Sequence, residues 1–164
     1  MYRLDIVQLM NVINGRGSEK DIDPSVYQGC FDIFSERIIE AWISDEAKDL
    51  IRTIHGKGYS IFISSNAPAD AVRQCLSKNG MLEYFNDILG REHGSKTKHL
   101  QKIRKDTNCE MIVFIGNSPS DFKNDAEIKI AVNVTSWEVK EFAELGVKTF
   151  VYGPLMKGLM REIL

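Results

Sequence analysis

The sequence predicts an α/β fold in which a parallel sheet is covered by helices on both faces. From residue 44 onward, segments with apolar residues at helical spacing alternate with short segments that are apolar throughout. Strands that are apolar on both faces and separated by helices are typical of buried parallel sheets. With 164 residues, 43% of them hydrophobic, the chain can bury one full core.

The first half of this region contains five predicted elements. Helices are predicted at residues 44–58, 66–80 and 95–105, and strands at 59–64 and 85–90. Ser44 is suited to cap the first helix because its hydroxyl can accept a hydrogen bond from a free backbone amide. Pro68 suits the first turn of the second helix, where its missing N–H costs nothing.

The second half continues the alternation. Strands are predicted at residues 111–116, 129–134 and 148–153, and helical segments at about Asp121 to Glu127, 136–146 and 154–164.

The first 43 residues do not follow this alternation. Residues 14–21, NGRGSEKD, form a polar connection, and residues 24–43 carry aromatic and aliphatic side chains at helical spacing. We therefore predict two parts, a small helical element at residues 1–43 and an α/β domain at 44–164.

Composition and charge exclude several classes of function. The formal net charge of -2, with basic and acidic residues intermixed, gives no basic stripe for nucleic acid. No apolar run is long enough to cross a membrane, and the N-terminus lacks the features of a signal peptide. Cys30, Cys75 and Cys109 lie far apart and predict neither disulfides nor a zinc site. We expect a cytoplasmic protein without a membrane or nucleic-acid partner.

Polar side chains are predicted at strand and helix ends, where ligands gather in open parallel sheets. These positions are Ser64, Ser65 and Asn66 after the first strand, Lys96 at a helix start, and Asn117 and Asp121 after the strand at 111–116. A hydroxyl, an amide and helix N–H groups could hold a phosphate, and two oxygen ligands could bind a cation.

Each position also has a purely structural interpretation. Residues 64–68, SSNAP, can be a helix cap followed by a proline, and Lys96 can be a surface lysine. A positive charge at a helix start nevertheless opposes the helix dipole. Asn117 and Asp121 can belong to a cap formed through Ser118 or Ser120.

In this order, the three positions resemble the motifs of the haloacid dehalogenase-like (HAD) superfamily over about residues 44–164. In that family's phosphatases an apolar strand ends in Ser or Thr, a later motif supplies a lysine, and another is commonly Gly-Asp-x-x-x-Asp. The resemblance implies a Rossmann-like parallel sheet, a partial helical cap element at the N-terminus, and Mg²⁺-dependent hydrolysis of a small phosphorylated molecule.

The resemblance also implies roles for individual residues. Ser65 would hydrogen-bond the transferring phosphoryl group, Asn66 would line the pocket, and Lys96 would neutralise nucleophile and phosphate. Asn117 and Asp121 would occupy the two metal-binding positions. We therefore expect the side chains of Ser65, Lys96, Asn117 and Asp121 to converge at one edge of the sheet.

Two departures from the family pattern affect this expectation. An amide at Asn117 brings an oxygen without a charge, so Mg²⁺ should bind weakly. The Asp-x-Asp-x-Thr nucleophile motif is not evident. DIDPS, Asp21 to Ser25, fits its letters, but the polar residues before it cannot form a buried strand, and Asp23 with Pro24 suits a helix start. Asp5 has no second carboxylate two residues on.

These observations support two main hypotheses. In the first, the chain begins inside the cap insertion of a phosphatase, its nucleophile segment is missing or on a separate chain, and the isolated chain is inactive or nearly so. In the second, it is a non-catalytic HAD-fold binding or regulatory module. A receiver-like or other doubly wound domain is a third possibility, which would require an acidic cluster at the end of its first strand.

Overall fold

A computed structural model of the chain describes residues 24–132 and 139–151. The helices are α1 (Pro24–Ile39), α2 (Asp45–Gly56), α3 (Ala69–Lys78), α4 (Lys96–Thr107) and α5 (Val139–Glu144). The strands are β1 (Phe62–Ser64), β2 (Asp87–Leu89), β3 (Val113–Gly116), β4 (Ile128–Val132) and β5 (Thr149–Val151). The helix predicted at residues 154–164 lies outside the described residues, as do Asp5, Asp21 and Asp23.

All five strands are paired in parallel, as the apolar runs predict. Within the described residues they pair in two groups, β1-β2 and β3-β4-β5. Ile63 is opposite Ile88 in the first sheet, and Ile115 is opposite Ile130 in the second. Within the described part of the chain, β1 and β3 each pair on one side only. Local periodicity predicts strands, but it carries no information about which strands share hydrogen bonds.

The predicted helix ends agree with local hydrogen bonding. The Ser44 hydroxyl accepts from the Ala47 amide at 3.2 Å, which caps α2 as expected. Helix α3 starts directly after Pro68, so the proline sits at the helix boundary. Helix α4 is capped by the Ser95 hydroxyl and ends at Asn108, whose φ of 52° is left-handed.

The helix predicted at about Asp121 to Glu127 is wrong. The chain instead makes a short 3₁₀ turn at Pro119–Phe122 and then runs irregularly to β4. The Asn124 side chain donates to the Asp121 carbonyl at 2.6 Å and accepts from the Ala126 amide at 3.0 Å. These local bonds replace the backbone partners that a helix would require.

Two apolar clusters form the described core. Phe122 lies at the centre of the first, with its ring edge-on to Phe114 at 5.9 Å and to Phe142 at 5.6 Å. The second cluster packs Leu76 and Met81 against Ile88, beside the β1-β2 sheet. Each sheet therefore has its own packed layer.

Helix α1 contacts α3, and side chains from the last turn of α3 and the residue after it hold the connection between α1 and α2. Asn79, just after α3, accepts from the Ile43 amide at 3.1 Å and donates to the Ala41 carbonyl at 3.0 Å. The division into residues 1–43 and 44–164 stays a prediction. Among the described helices, none has the length and apolar character to cross a membrane.

Candidate functional site

The carboxyl end of β1 leads into the first predicted polar position. Ser64 is the last residue of β1, and the Ser65 amide continues the pairing by donating to the Leu89 carbonyl at 2.9 Å. The Ser65 hydroxyl accepts from the Ala67 amide at 3.0 Å, so its own proton remains available to another acceptor. Asn66 is exposed beside it.

Lys96 joins the ends of β1 and β3. It is the first residue of α4, only 9% exposed, and its ammonium donates to the Ser64 carbonyl. The same Nζ lies 3.6 Å from Oδ1 of Asp121, which follows β3. The nearby carboxylate offsets the cost of a positive charge at a helix start. Burial lowers the pKa of Lys96, and the charge of Asp121 opposes this shift.

Asp121 is held by backbone as well as by Lys96. Its Oδ2 accepts from the Asn117 amide at 3.3 Å and the Ser118 amide at 3.2 Å. A methyl group on Gly116 would lie 2.9 Å from the Asp121 Cβ, so glycine is needed for this close approach. Asp121 thus caps the turn after β3, the structural alternative considered from sequence, and faces Lys96 at the same time.

The described residues do not by themselves make a Mg²⁺ site. Among the described residues Asp121 contributes the one carboxylate at this position, and two amides and an ammonium already share its oxygens. Asn117 is exposed and brings no charge. No group of three or more His, Cys, Asp and Glu side chains within residues 24–132 and 139–151 could hold a metal. Magnesium prefers anionic oxygen, so a further carboxylate would be required.

The N-terminus of α3 is already occupied by an anion. Oε1 of Glu92 accepts from the Ala69 amide at 2.9 Å. Burial would raise the pKa of Glu92, but backbone amides, including that of Ala69, lower it overall. Glu92 therefore supplies negative charge where a phosphate could otherwise use the helix end.

His99 is a site residue that the sequence analysis does not identify. It lies one turn after Lys96, is 1% exposed, and uses both ring nitrogens. Burial lowers its pKa, as does the charge of Lys96, and His93 adds to this while Glu92 opposes it. The sequence signal that could have identified His99 is its spacing, because Lys96, His99 and Ile103 fall on the same face of the helix as its apolar residues.

Lys96 thus contacts both Ser64 and Asp121, and the Asn117 backbone amide donates to Asp121. Polar groups at the carboxyl ends of parallel strands define a class of α/β domain that binds ligands at that edge. The chain belongs to the haloacid dehalogenase-like hydrolase family, whose model matches residues 9–134.

Individual relatives agree with this membership. The chain is 33% identical over 79 residues to a phosphoglycolate phosphatase of Cereibacter sphaeroides, and the match covers 46% of this chain but 36% of that protein. The fold resembles a predicted phosphatase from Clostridium acetobutylicum, with a TM-score of 0.70, 16% identity, and coverage of 95% of this chain and 76% of that one. It also resembles a phosphoserine phosphatase from T. onnurineus, with a TM-score of 0.63, 17% identity, and coverage of 98% and 81%.

Proposed function

We propose that this chain supplies the phosphate-recognition half of a HAD-type phosphomonoester hydrolase that acts on a small phosphorylated molecule. The observation that carries the proposal is the buried ammonium of Lys96, which lies between the Ser64 carbonyl and the Asp121 carboxylate. Family membership and the likeness to a phosphoglycolate phosphatase support this assignment.

Each residue has a binding role in this proposal. The Ser65 hydroxyl has a free proton and donates it to a phosphoryl oxygen, and exposed Asn66 lines the pocket. Lys96 neutralises charge on the phosphate, where a charge-assisted hydrogen bond contributes about 1.5–3 kcal/mol. None of these groups attacks phosphorus, since an amine held as an ammonium and a hydroxyl without a base are not nucleophiles.

A carboxylate from outside the described residues completes the site in this proposal. A nucleophilic aspartate is required for the covalent route, and a second carboxylate would make Mg²⁺ binding at Asn117 and Asp121 possible, although weak. Strands β1 and β3 each have one unpaired edge within the described part of the chain, and a parallel strand could pair there. The strand could come from another part of the protein or from a separate chain. We place the protein in the cytoplasm.

A non-catalytic binding module is the second candidate, and the state of Asp121 favours it. Its oxygens are already used by two backbone amides and Lys96, and the neighbouring metal position is an amide, Asn117. Such a domain would bind a phosphorylated ligand through Ser65 and Lys96 without turning it over.

Inorganic phosphate binding and phosphomonoester hydrolysis together test these proposals. Wild type, Lys96→Ala and Asn117→Asp are compared, with Lys98→Ala as the matched control because Lys98 is exposed on the same helical turn. We expect Lys96→Ala to weaken phosphate binding about tenfold or more and Lys98→Ala to leave it near wild type. Asn117→Asp should tighten Mg²⁺ without creating turnover.

The outcomes separate the candidates. Absence of phosphate binding by wild type would refute both. Robust turnover that Lys96→Ala abolishes would show that the chain contains its own nucleophile. Turnover that appears only when a segment carrying Asp-x-Asp-x-Thr is added would support the hydrolase proposal. Phosphate binding without turnover, even with that segment added, would support the non-catalytic binding module.

A further inference from the structure

The buried face of α4 carries a hydrogen-bond chain that ends at Lys96. In the described part of the chain, Lys96 and His99 are the buried polar or charged residues, and they lie three positions apart on one helix. His99 Nε2 is 3.1 Å from the Gly90 carbonyl, and Nδ1 is 2.7 Å from the Ser64 hydroxyl. The Ser64 carbonyl in turn accepts from the Lys96 ammonium.

The chemistry of these partners determines the tautomer of His99. A carbonyl oxygen can only accept, so Nε2 carries the proton and donates it to Gly90. Nδ1 of the neutral ring is then an acceptor, and the Ser64 hydroxyl donates to it. Burial and the nearby positive charge of Lys96 lower the pKa of His99, which keeps the ring neutral.

Ser64 is therefore held on both sides. Its hydroxyl donates to His99, and its carbonyl accepts from the Lys96 ammonium. The next residue, Ser65, carries the hydroxyl that we propose binds the phosphate. A β-strand end with a free hydroxyl would leave this peptide carbonyl less strictly oriented. The peptide that carries this carbonyl is also held by the Ser65 amide, which donates to Leu89, and the bond between the Ser64 hydroxyl and His99 adds a second restraint on the acceptor that orients the ammonium.

We propose that His99 is a positioning residue that holds Ser64, and through the Ser64 carbonyl aims the Lys96 ammonium at the phosphate site. This inference rests on the proposed phosphate-binding function of that site. His99 does not touch the ligand. It links Gly90, the residue after β2, to Ser64 at the end of β1, so the position of Lys96 depends on both strands.

Four variants isolate this link. Ser64→Ala removes only the hydroxyl, and Ser64→Thr restores one. His99→Gln keeps an amide N–H that can reach the Gly90 carbonyl but removes the Nδ1 acceptor. The double variant Ser64→Ala with His99→Gln tests whether the two residues act as one unit. Ile103→Val, a small core change one turn further along the same face, is the control for general destabilisation.

Two readouts are measured on the whole chain. The first is the rate at which an amine-acylating reagent modifies Lys96, quantified by peptide mass spectrometry. The second is the Kd for inorganic phosphate. We expect Ser64→Ala and His99→Gln each to speed modification of Lys96 several-fold and to weaken phosphate binding about fivefold, the effect of one net hydrogen bond. The double variant should match either single variant, and Ser64→Thr should match wild type.

The results distinguish this inference from the proposed function. If wild type binds no phosphate but the modification rates change as expected, the positioning role holds and the phosphate function fails. If phosphate binds and the rates in Ser64→Ala and His99→Gln equal that of Ile103→Val, His99 has only a structural role and the inference fails. Additive effects in the double variant would also overturn it, because they would mean that the two residues act separately.

Discussion

Replacing Gly90 with alanine should destabilise the contact between two loops of the site, the one that follows β1 and the one that follows β2. Gly90 has extended backbone, with φ of -91° and ψ of -177°, so the conformation itself is open to any residue. A Cβ there would lie 2.3 Å from the Ala69 nitrogen and 2.7 Å from the Ala67 carbonyl oxygen. Both are backbone atoms and cannot rotate away, so the cost is steric.

The magnitude follows from what must move. Reaching even a 3.0 Å contact requires the Ala69 nitrogen to shift by 3.0 - 2.3 = 0.7 Å. That shift strains two hydrogen bonds between the loops, from Arg91 N to the Ala67 carbonyl at 3.1 Å and from Ala69 N to Glu92 at 2.9 Å. Overpacking costs about 1–3 kcal/mol and each of the two weakened bonds up to about 1 kcal/mol, so we expect a loss of at least about 3 kcal/mol if both bonds are lost.

Thermal and urea unfolding followed by circular dichroism measure this loss. For a chain of this size, about 3 kcal/mol corresponds to a Tm lower by about 6–12 °C. Gly29→Ala is the matched control, because Gly29 lies inside α1, is exposed, and has open space where the methyl group would go. That variant should gain up to about 1 kcal/mol. The steric argument would be refuted if the free energy of unfolding of Gly90→Ala were within about 0.5 kcal/mol of wild type, since losing even one hydrogen bond should cost about 1 kcal/mol.

Three further predictions concern stability. Asn79→Ala should cost about 2 kcal/mol in urea unfolding, because it loses the bonds that hold residues 41–43; no loss would mean that this connection is held elsewhere. Lys129→Met should cost a similar amount, since its ammonium donates to the Phe122 and Leu145 carbonyls at 3.0 Å each; an unchanged urea midpoint would contradict this. Because the folded pKa of His99 lies below its unfolded value of about 6.5, the unfolded state binds the proton more readily, and stability should fall as pH drops below about 6.5. Unfolding measured between pH 7.5 and 5 should show a smaller decline in His99→Gln than in wild type.

Much of the fold follows from local patterns in the sequence. The Ser44 cap and the continuous apolar strands depend on neighbouring residues, and these predictions are confirmed. The helix predicted at Asp121 to Glu127 is wrong for a local reason as well, because the Asn124 side chain binds the Asp121 carbonyl and the Ala126 amide in place of backbone partners. The grouping of the described strands into β1-β2 and β3-β4-β5 could not be predicted, because pairing between strands is a long-range property.

The candidate site also contains residues that the sequence predicts and residues that only the structure identifies. The predicted positions of Ser65 and Lys96 come from motif order, and their roles stay predictions. His99 and Glu92 have no motif, and their importance depends on contacts across 35 and 23 residues of sequence. A histidine on an apolar helix face is usually a core residue, so its bond to Ser64 could be identified only from the structure.

The distribution of charge favours Lys96 as the main anion-binding group of the proposed phosphate site. Glu92 occupies the Ala69 amide at the start of α3, and Asp121 occupies the amides of Asn117 and Ser118. Two of the backbone positions that could receive a phosphate therefore already hold carboxylates. Lys96 has a carbonyl and one carboxylate at 3.6 Å, and burial still lowers its pKa despite that carboxylate, so a further anion beside it would be stabilising. A phosphate bound beside Lys96 would supply that anion, whereas a phosphate at either occupied amide would first have to displace a carboxylate.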